Sequence, residues 1–357
     1  MILIRLQLSS FRGYERLDLG FGPGITAVVG ENAAGKTNLV EAIQFLSLAR
    51  SFRTNDDAVL IQDGKNVAVI DATLSEGALT RNIRIELSKD AKKVYVNGKP
   101  IRRLSELSRL VNVIEFSPSD VSLFCGSPSE RRSFLDISLS KQSLDYFRLI
   151  SNYGRLLKQR NAVLKQTAPD LNLLDVLTDQ MIEVEEFIVR YRNQYCDSLS
   201  HQLPGLLGRL RGAETEAELV YRPFVRGDAD SFAKRAKKAY EASRESDLAH
   251  KTTSIGVHRE DFSLKVHGVD IATHGSQGEN RLAVLALKLC PYFLIEDEAL
   301  KPILVLDDVT SELDAERVKN LMDLLREFQQ AFVTTTQLSI EGATYVDVAS
   351  NKAIRRN

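Results

Sequence analysis

The chain has 357 residues, of which 43% are hydrophobic and 27% charged, and its net charge is −1. This composition is typical of a soluble globular protein large enough for two domains. No apolar run approaches the roughly 20 residues of a membrane span, and the N-terminus lacks the pattern of a signal peptide, so we expect a cytoplasmic protein without membrane contact. A polyanionic partner would need a local basic patch, because the overall charge does not attract it. The scatter of the three cysteines favours buried thiols over a disulfide or a metal site.

The first predicted elements are strands at Ile2 to Leu8 and at Arg16 to Phe21. A Gly22-Pro23-Gly24 turn then leads to a short buried strand, Ile25 to Val29. The apolar spacing after it predicts a helix from Thr37 to Leu48.

A P-loop pattern lies between that strand and that helix. Gly30 and Gly35 allow backbone N–H groups to converge on phosphate oxygens. Lys36 supplies a positive charge for the β- and γ-phosphates, and the hydroxyl of Thr37 can ligate Mg²⁺. The helix N-terminus adds unpaired N–H groups and a dipole that favour anions. The pattern therefore predicts a nucleoside triphosphate site formed by Gly30, Glu31, Asn32, Ala33, Ala34, Gly35, Lys36, Thr37 and Asn38.

The next part of the chain is basic. Arg50 to Thr54 is either a loop near the triphosphate or an ordinary solvated linker. Residues 67 to 101 predict an antiparallel meander with a hairpin turn at Asn97-Gly98, and Val111 to Phe116 predicts another strand. Positions 81 to 109 contain three acidic residues and nine basic ones. The basic residues are Arg81, Arg84, Lys89, Lys92, Lys93, Lys99, Arg102, Arg103 and Arg109.

The middle of the chain is predicted to be helical, from about Glu130 to Lys165 and from Leu171 to Leu199. Thr167 to Asp170 should break the helix. Either an antiparallel helical hairpin or a compact helical lobe fits this pattern. Glycines near Pro204 predict a turn region, and residues 231 to 251 predict a further helix.

The last third returns to α/β character, with a helix from Glu279 to Leu289 and an apolar strand from Ile303 to Leu306. Two carboxylates follow that strand. In P-loop proteins an acid at this place holds Mg²⁺ beside the P-loop hydroxyl, so Asp307 is assigned to the metal and Asp308 to the attacking water. We therefore predict an α/β nucleotide-binding fold that a helical insertion splits in two.

Several motifs in this order resemble the RecF family of recombination-repair ATPases, which is related to the SMC proteins. Beside the P-loop, they include Leu8 to Tyr14, Glu41 to Ile43, Arg50 to Arg53, Phe116 to Pro118, Gly126 to Arg132, Phe134 to Asp136, Gly256 to Asp261, Ser276 to Glu279 and Leu306 to Asp308. The resemblance covers nearly the whole length.

The resemblance implies an ABC/SMC-type P-loop ATPase head with an inserted, mainly helical arm. Residues 1–116 would form the N-terminal half of the head, 117–250 the arm, and 251–357 the C-terminal half. It also implies that Ser276, Gln277 and Gly278 form a signature loop that closes on the ATP of a second subunit, that Ser311 to Asp314 form a D-loop, and that Arg12 lies near the nucleotide.

The family resemblance further implies an ATP-dependent homodimer that binds double-stranded DNA or its junctions with single strands. RecR and RecO would act with it in loading RecA, and basic residues from Lys89 to Arg109 would contact DNA phosphates. The chain departs from transporter cassettes in its Ser-Gln-Gly-Glu loop, in Thr335 to Gln337 at the switch-histidine region, and in Asp308 instead of glutamate. We therefore expect a weak, DNA-dependent ATPase in which ATP acts chiefly as a dimerisation switch. The alternatives are the ATPase subunit of an ABC transporter and a metabolic P-loop kinase.

Overall fold

The computed structural model describes residues 1–101, 104–227, 232–311, 313–336 and 340–356. Two compact units are formed by this chain. The first unit comprises residues 1–121, 205–214 and 281–357, and the second comprises residues 122–204 and 215–280.

The first unit contains an antiparallel sheet at its N-terminal end. Its strands are β1 (Ile2–Phe11), β2 (Tyr14–Gly20), β4 (Val67–Glu76), β5 (Leu79–Ser88), β6 (Lys92–Val96) and β7 (Lys99–Pro100), in the order β2-β1-β4-β5-β6-β7. Asn97 and Gly98 both adopt positive φ, 49° and 75°, which is the conformation of a two-residue hairpin turn. The predicted meander and its turn are therefore confirmed.

A second, mostly parallel sheet of the first unit carries the P-loop strand. Its members are β3 (Gly24–Val29), β8 (Val113–Phe116), β12 (Ile303–Leu306), β13 (Gln330–Thr335), β14 (Thr344–Ala349) and β15 (Lys352–Arg355), in the order β15-β14-β3-β13-β12-β8. Only β15 pairs antiparallel. All pairings among β8, β12, β13, β3 and β14 are parallel, so the carboxyl ends of these five strands meet at one edge.

Helix α1 (Lys36–Leu48) forms the centre of the first unit. Nine consecutive residues, 39 to 47, are buried, and a helix that is covered on all sides belongs inside a core. The core cluster joins α1 side chains such as Phe45 to side chains of both sheets, for example Ile70 and Phe332. The first unit also contains α2 (Leu107–Leu110), α9 (Ala315–Leu325), most of α8 (Gln277–Phe293) and the last residues of α5 (Leu171–Arg211).

The second unit combines helices with a small antiparallel sheet. Its helices are α3 (Pro128–Gln142), α4 (Leu144–Leu164), α6 (Phe232–His250) and α7 (Ile271–His274), together with most of α5 (Leu171–Arg211) and the first residues of α8 (Gln277–Phe293). The sheet has the order β11-β10-β9, formed by β9 (Ala217–Arg222), β10 (Asp261–Val266) and β11 (Val269–Asp270). Among the described residues, no helix combines the length and apolarity needed to cross a bilayer.

Helices α4 and α5 run antiparallel, with α6 packed along them. Arg160 of α4 donates to Thr178 of α5 (3.0 Å), whereas Arg192 of α5 donates to Tyr146 of α4 (3.1 Å). Residue numbers therefore increase along α4 in the direction in which they decrease along α5. Arg160, which interrupts the apolar seam of α4, also pairs with Asp247 of α6 at 2.8 Å. The two predicted alternatives therefore combine, since the hairpin is present but α6 covers it to form a lobe.

The Gly256 to Asp261 motif holds the second unit together. Arg192 pairs with Glu260 at 2.7 Å and Arg131 pairs with Asp261 at 2.7 Å. Gly256 adopts φ +120°, and a Cβ there would lie 2.6 Å from a carboxylate oxygen of Glu185, so the position requires glycine. Through these ion pairs the motif joins helices α3 and α5 inside the second unit.

One sequence expectation was wrong, and four strands were missed. The predicted turn near Pro204 does not form before Gly212, because α5 continues to Arg211. A proline inside a helix costs about 3 kcal/mol, and the burial of neighbouring leucines outweighs this cost: Leu203, Leu206, Leu207 and Leu210. The strands β9, β10, β11 and β15 were not predicted. The compact units also differ from the predicted boundaries, because pairing of β10 with β9 ties residues 251–280 to the second unit.

Candidate nucleotide-binding site

The candidate site lies at the edge where the parallel strands of the first unit end. The P-loop follows β3, Asp307 follows β12, and Thr334 stands near the end of β13. Because β3, β13 and β12 are neighbours in the sheet, these segments come together although up to 300 residues separate them in sequence. The predicted P-loop and acidic pair therefore share one edge.

The P-loop backbone curls at Gly35, as its sequence predicted, and also at Ala33. Gly35 (φ +113°) and Ala33 (φ +64°) lie in the left-handed region, and α1 begins directly after Gly35. The first turn of α1 carries no acidic residue, so the N-terminal end of the helix is electrostatically suited to an anion. The Lys36 ammonium donates to the carbonyls of Gly30 (2.6 Å) and Glu31 (2.8 Å). Partial burial lowers the pKa of Lys36, while the nearby Asp308 and Asp307 raise it.

Asp307 is buried and lies opposite the P-loop hydroxyl. Its Oδ1 accepts hydrogen bonds from Thr37 Oγ1 (3.1 Å) and from Thr334 Oγ1 (2.8 Å). Burial raises the pKa of Asp307, and the two hydroxyl donors oppose that rise. A carboxylate and a hydroxyl in contact supply two hard oxygen donors, which is the donor chemistry that Mg²⁺ prefers beside nucleotide phosphates. The residues present thus fit the predicted metal.

Asp308 differs from Asp307 in that its side chain is exposed and its φ is +49°. Its backbone N–H donates to Thr334 Oγ1 (2.8 Å), and its carbonyl accepts from Arg281 Nη2 (2.8 Å). These backbone bonds hold a left-handed conformation that aspartate tolerates. The carboxylate is therefore presented to solvent at the site, where it can accept a proton from water.

Arg12 is anchored by Glu41, a residue of the family motif to which the sequence assigned no role at the site. Its Nε and Nη2 form two parallel bonds to the buried Glu41, at 2.9 and 2.8 Å. Glu41 also accepts from Ser51 (2.5 Å) and pairs more loosely with Arg53 (3.5 Å). The signal for Glu41 was a charged residue among the mostly apolar residues that follow Asn38 in α1. Two guanidinium groups are thus held by one carboxylate in the middle of α1.

A cleft of about 740 Å³ opens beside this cluster, and it is lined by residues of the first unit only. Arg53 donates to Asn38 Oδ1 (3.0 Å) at the rim. Of the two alternatives for Arg50 to Thr54, the position of Arg53 supports the loop near the triphosphate. The lining includes Arg12, Gly13, Asn38, Arg53, Gln62 and Lys65.

The predicted signature loop belongs to the second unit. Ser276 Oγ accepts from the N–H of Glu279 (3.3 Å), and Glu279 accepts from the N–H of Ser276 (3.0 Å). This reciprocal pair is a capping box that starts α8. Within the predicted D-loop, Glu312 lies outside the described residues, as does Gln337 in the region of the switch histidine.

The basic segment from Arg81 to Arg109, which contains the strip predicted to contact DNA from Lys89 to Arg109, is only partly available to a polyanion. Arg81 pairs with Glu76 (2.8 Å), Arg84 pairs with Asp71 (3.2 Å), and Lys92 pairs with Asp57 (2.6 Å). Lys89, Lys93 and Lys99 are exposed. Arg102, Arg103 and the side chain of Arg109 lie outside the described residues.

Comparison with known proteins gives a consistent result. Residues 2–352 match the model of the RecF/RecN/SMC N terminal domain. The DNA replication and repair protein RecF of Halalkalibacterium halodurans is 38% identical over 346 residues, covering 95% of this chain and 93% of that protein. RecF of Geobacillus kaustophilus is also 38% identical, in an alignment of 366 positions that covers 100% of this chain and 97% of the relative.

Solved structures agree with the sequence comparison. The structure of the recombination mediator protein RecF with ATP, in the RecFOR pathway, superposes with a TM-score of 0.90 at 28% identity, over 99% of this chain and 97% of the other. An Smc head domain from Pyrococcus furiosus gives a TM-score of 0.62 at 16% identity, over 99% of this chain and 96% of the other, which concerns the fold alone.

The fold and the P-loop edge define an ABC/SMC-type ATPase head that carries a mainly helical second unit. With relatives at 38% identity over almost their full length, the chain belongs to the RecF family of DNA replication and repair proteins. The predicted fold class and family are confirmed, and the transporter alternative is not favoured by these relatives.

Proposed function

We propose that this chain is an ATP-dependent DNA-binding protein of recombinational repair that binds ATP and Mg²⁺ at the P-loop edge. The observation that carries the proposal is the contact of Thr37 Oγ1 with Asp307 Oδ1 at 3.1 Å, between residues 270 positions apart. A hydroxyl after the P-loop lysine and a carboxylate at the end of a neighbouring strand are the pair that holds Mg²⁺ in P-loop ATPases.

In this proposal, residues 30 to 38 hold the phosphates. The backbone N–H groups around Gly35 and the start of α1 face the anion, and Lys36 exchanges its bonds with the Gly30 and Glu31 carbonyls for phosphate oxygens. Arg12 and Arg53, both anchored on Glu41, direct positive charge towards the adjoining cleft. The relatives' ATP-bound structures support the choice of nucleotide.

Thr37 and Asp307 would hold Mg²⁺, which would neutralise phosphate charge during the reaction. Asp308 would orient the attacking water and accept its proton, since its carboxylate is exposed at the same edge. A shorter acid than glutamate places this base farther from the phosphate, so we expect slow hydrolysis. A turnover number well above about 1 s⁻¹, the low end for ordinary enzymes, would contradict this expectation.

The signature loop completes the proposed mechanism in trans. Ser276, Gln277 and Gly278 stand at the start of α8, where the positive end of the helix dipole suits an incoming γ-phosphate. Two subunits would thus close on two ATP molecules as a homodimer. In this scheme residues 1–116 and 251–357 act as the ATPase head and residues 117–250 as the arm, a functional division in which residues 251–280 serve the head although they pack within the second compact unit.

Duplex DNA and its junctions with single strands are the proposed nucleic-acid partners, bound through phosphate contacts without sequence readout. Lys89, Lys93 and Lys99 are the exposed candidates on the antiparallel sheet. RecR and RecO would act with this chain in promoting RecA loading, in agreement with the RecFOR pathway assigned to the solved relative.

Sedimentation of the wild type and of Lys36→Met tests the proposal. Both proteins are run with and without ATP, and with and without a duplex that carries a single-stranded gap. We expect ATP to convert only the wild type into a dimer that retains the DNA. If both proteins stay monomeric and DNA binding ignores ATP, the trans mechanism is wrong.

A further inference from the structure

The hairpin turn between β14 and β15 lies against the P-loop. Its two residues, Ser350 (φ +49°) and Asn351 (φ +56°), both adopt the left-handed conformation of a tight hairpin turn. The backbone N–H of Asn351 donates to the carbonyl of Ala34 at 2.8 Å. A P-loop carbonyl is thus fixed by a turn more than 300 residues away.

The side chain of Asn351 fills the space beside two glycines. A Cβ on Gly13 would lie 2.2 Å from Asn351 Cγ, and a Cβ on Gly35 would lie 2.5 Å from its Oδ1. The same Oδ1 accepts from Asn38 Nδ2 at 3.4 Å. On the other side, the hydroxyl of Tyr14 donates to the carbonyl of Gly35 at 3.0 Å. The amide group therefore packs between the β1–β2 turn and the start of α1.

The β14–β15 hairpin also explains why residue 30, the first glycine of the P-loop, is a glycine. A Cβ on Gly30 would lie 2.2 Å from the carbonyl oxygen of Val348 in β14. Real Cβ atoms do not approach backbone that closely, so Gly30 is required by the C-terminal strand as well as by the phosphates. Gly13, Gly30 and Gly35 are then three positions where the same hairpin approaches the nucleotide edge.

We propose that Asn351 is a positioning residue, which holds the P-loop in its phosphate-binding conformation through the Ala34 carbonyl and through packing against Gly13 and Gly35. This inference rests on the proposed nucleotide binding. Without the Asn351 side chain, the P-loop is unsupported on one face and becomes less ordered. Nucleotide binding then has to order the loop, and this cost lowers the affinity.

Two measurements on the full chain test this inference. The first is hydrogen exchange of the peptide that spans residues 30–38, without nucleotide. Asn351→Gly keeps the left-handed backbone and its N–H group while removing the side chain, and it should accelerate exchange of these amides. Ser350→Gly makes the matching change at the exposed neighbour in the same turn and should leave exchange as in the wild type. The second is the affinity for a fluorescent ATP analogue, which Asn351→Gly should weaken about five- to tenfold.

A double-mutant cycle separates positioning from general destabilisation. Gly13→Ala should weaken nucleotide binding in the wild-type background, because the new methyl group collides with the Asn351 amide. In the Asn351→Gly background the same change should cost less than about twofold, since the colliding atoms are gone. An equal cost in both backgrounds, or unchanged exchange and affinity in Asn351→Gly, would overturn the role of Asn351 and leave nucleotide binding intact. A wild type that binds no more analogue than Lys36→Met would overturn the proposed function and this role with it.

Discussion

Glu185, on α5 of the second unit, makes the stability of the protein depend on pH. Its side chain is fully buried, and Oε1 accepts from the hydroxyl of Tyr240 (2.8 Å) and the N–H of Val257 (3.2 Å). Its Oε2 has no hydrogen-bond partner among the residues that the structure describes. Burial raises the pKa of Glu185 from 4.5 to about 8, and the charge of Glu260 adds to that rise.

The sign of this pH dependence follows from whether the folded or the unfolded state binds the Glu185 proton more tightly. Between pH 4.5 and about 8 the folded protein keeps the proton of Glu185 while the unfolded chain loses it. The free energy of unfolding therefore falls as the pH rises through this window, and the Glu185 contribution is constant above it. At about 1.4 kcal/mol per pKa unit, the loss between pH 5 and pH 9 is on the order of 4 kcal/mol.

Glu185→Gln cannot titrate, so the difference in unfolding free energy between wild type and variant isolates this group. Urea denaturation followed by circular dichroism suits a chain without tryptophan, at one-unit steps from pH 5 to pH 9. We expect the wild type to lose stability relative to Glu185→Gln as the pH rises. Glu183→Gln, at an exposed position of the same helix, should show a pH-independent difference within about 0.5 kcal/mol. A difference for Glu185→Gln that is constant or opposite in sign would refute the reasoning.

Three further substitutions test the two units. Asp307→Asn should lower ATP turnover at least about 100-fold by removing a metal ligand, with an unchanged melting temperature; retained phosphate release would contradict the metal assignment. Glu41→Gln should cost about 2–4 kcal/mol in urea denaturation because it uncouples a buried ion pair, whereas the exposed Glu15→Gln should cost almost nothing. Arg160→Met should cost about 3–5 kcal/mol by leaving Asp247 buried without its cation. Adding Asp247→Leu should restore at least half of that loss, and the absence of any recovery would argue against an isolated charge as its cause.

Most of the fold could be predicted from patterns among residues that are close in sequence. The alternation in β1 and β4, the Asn97-Gly98 turn and the glycine spacing before Lys36 are all determined by residues close in sequence, so they could be predicted. The edge that joins Thr37 to Asp307 was also predictable, because parallel strands with polar residues at their carboxyl ends bring those residues together.

What escaped prediction depends on contacts distant in sequence. Pro204 signalled a helix end, but tertiary burial of the surrounding leucines overrode the local preference. The role of Glu41 could not be assigned from its helix alone, because its partner Arg12 comes from the turn between β1 and β2. Asn351 showed no motif at all, since its role comes only from the turn that places it beside Gly13 and Gly35.

The strand order of the parallel sheet has a consequence for synthesis on the ribosome. β3 is complete once residue 29 has been added, yet both of its neighbours, β13 and β14, come from residues 330–349. At translation rates of about 5–20 residues per second, the P-loop strand waits for roughly 15–60 s before any partner strand emerges. The antiparallel sheet of residues 2–100, by contrast, needs no later segment for its strand pairing. A nascent or prematurely terminated chain is therefore expected to display folded N-terminal structure while it lacks an assembled nucleotide edge.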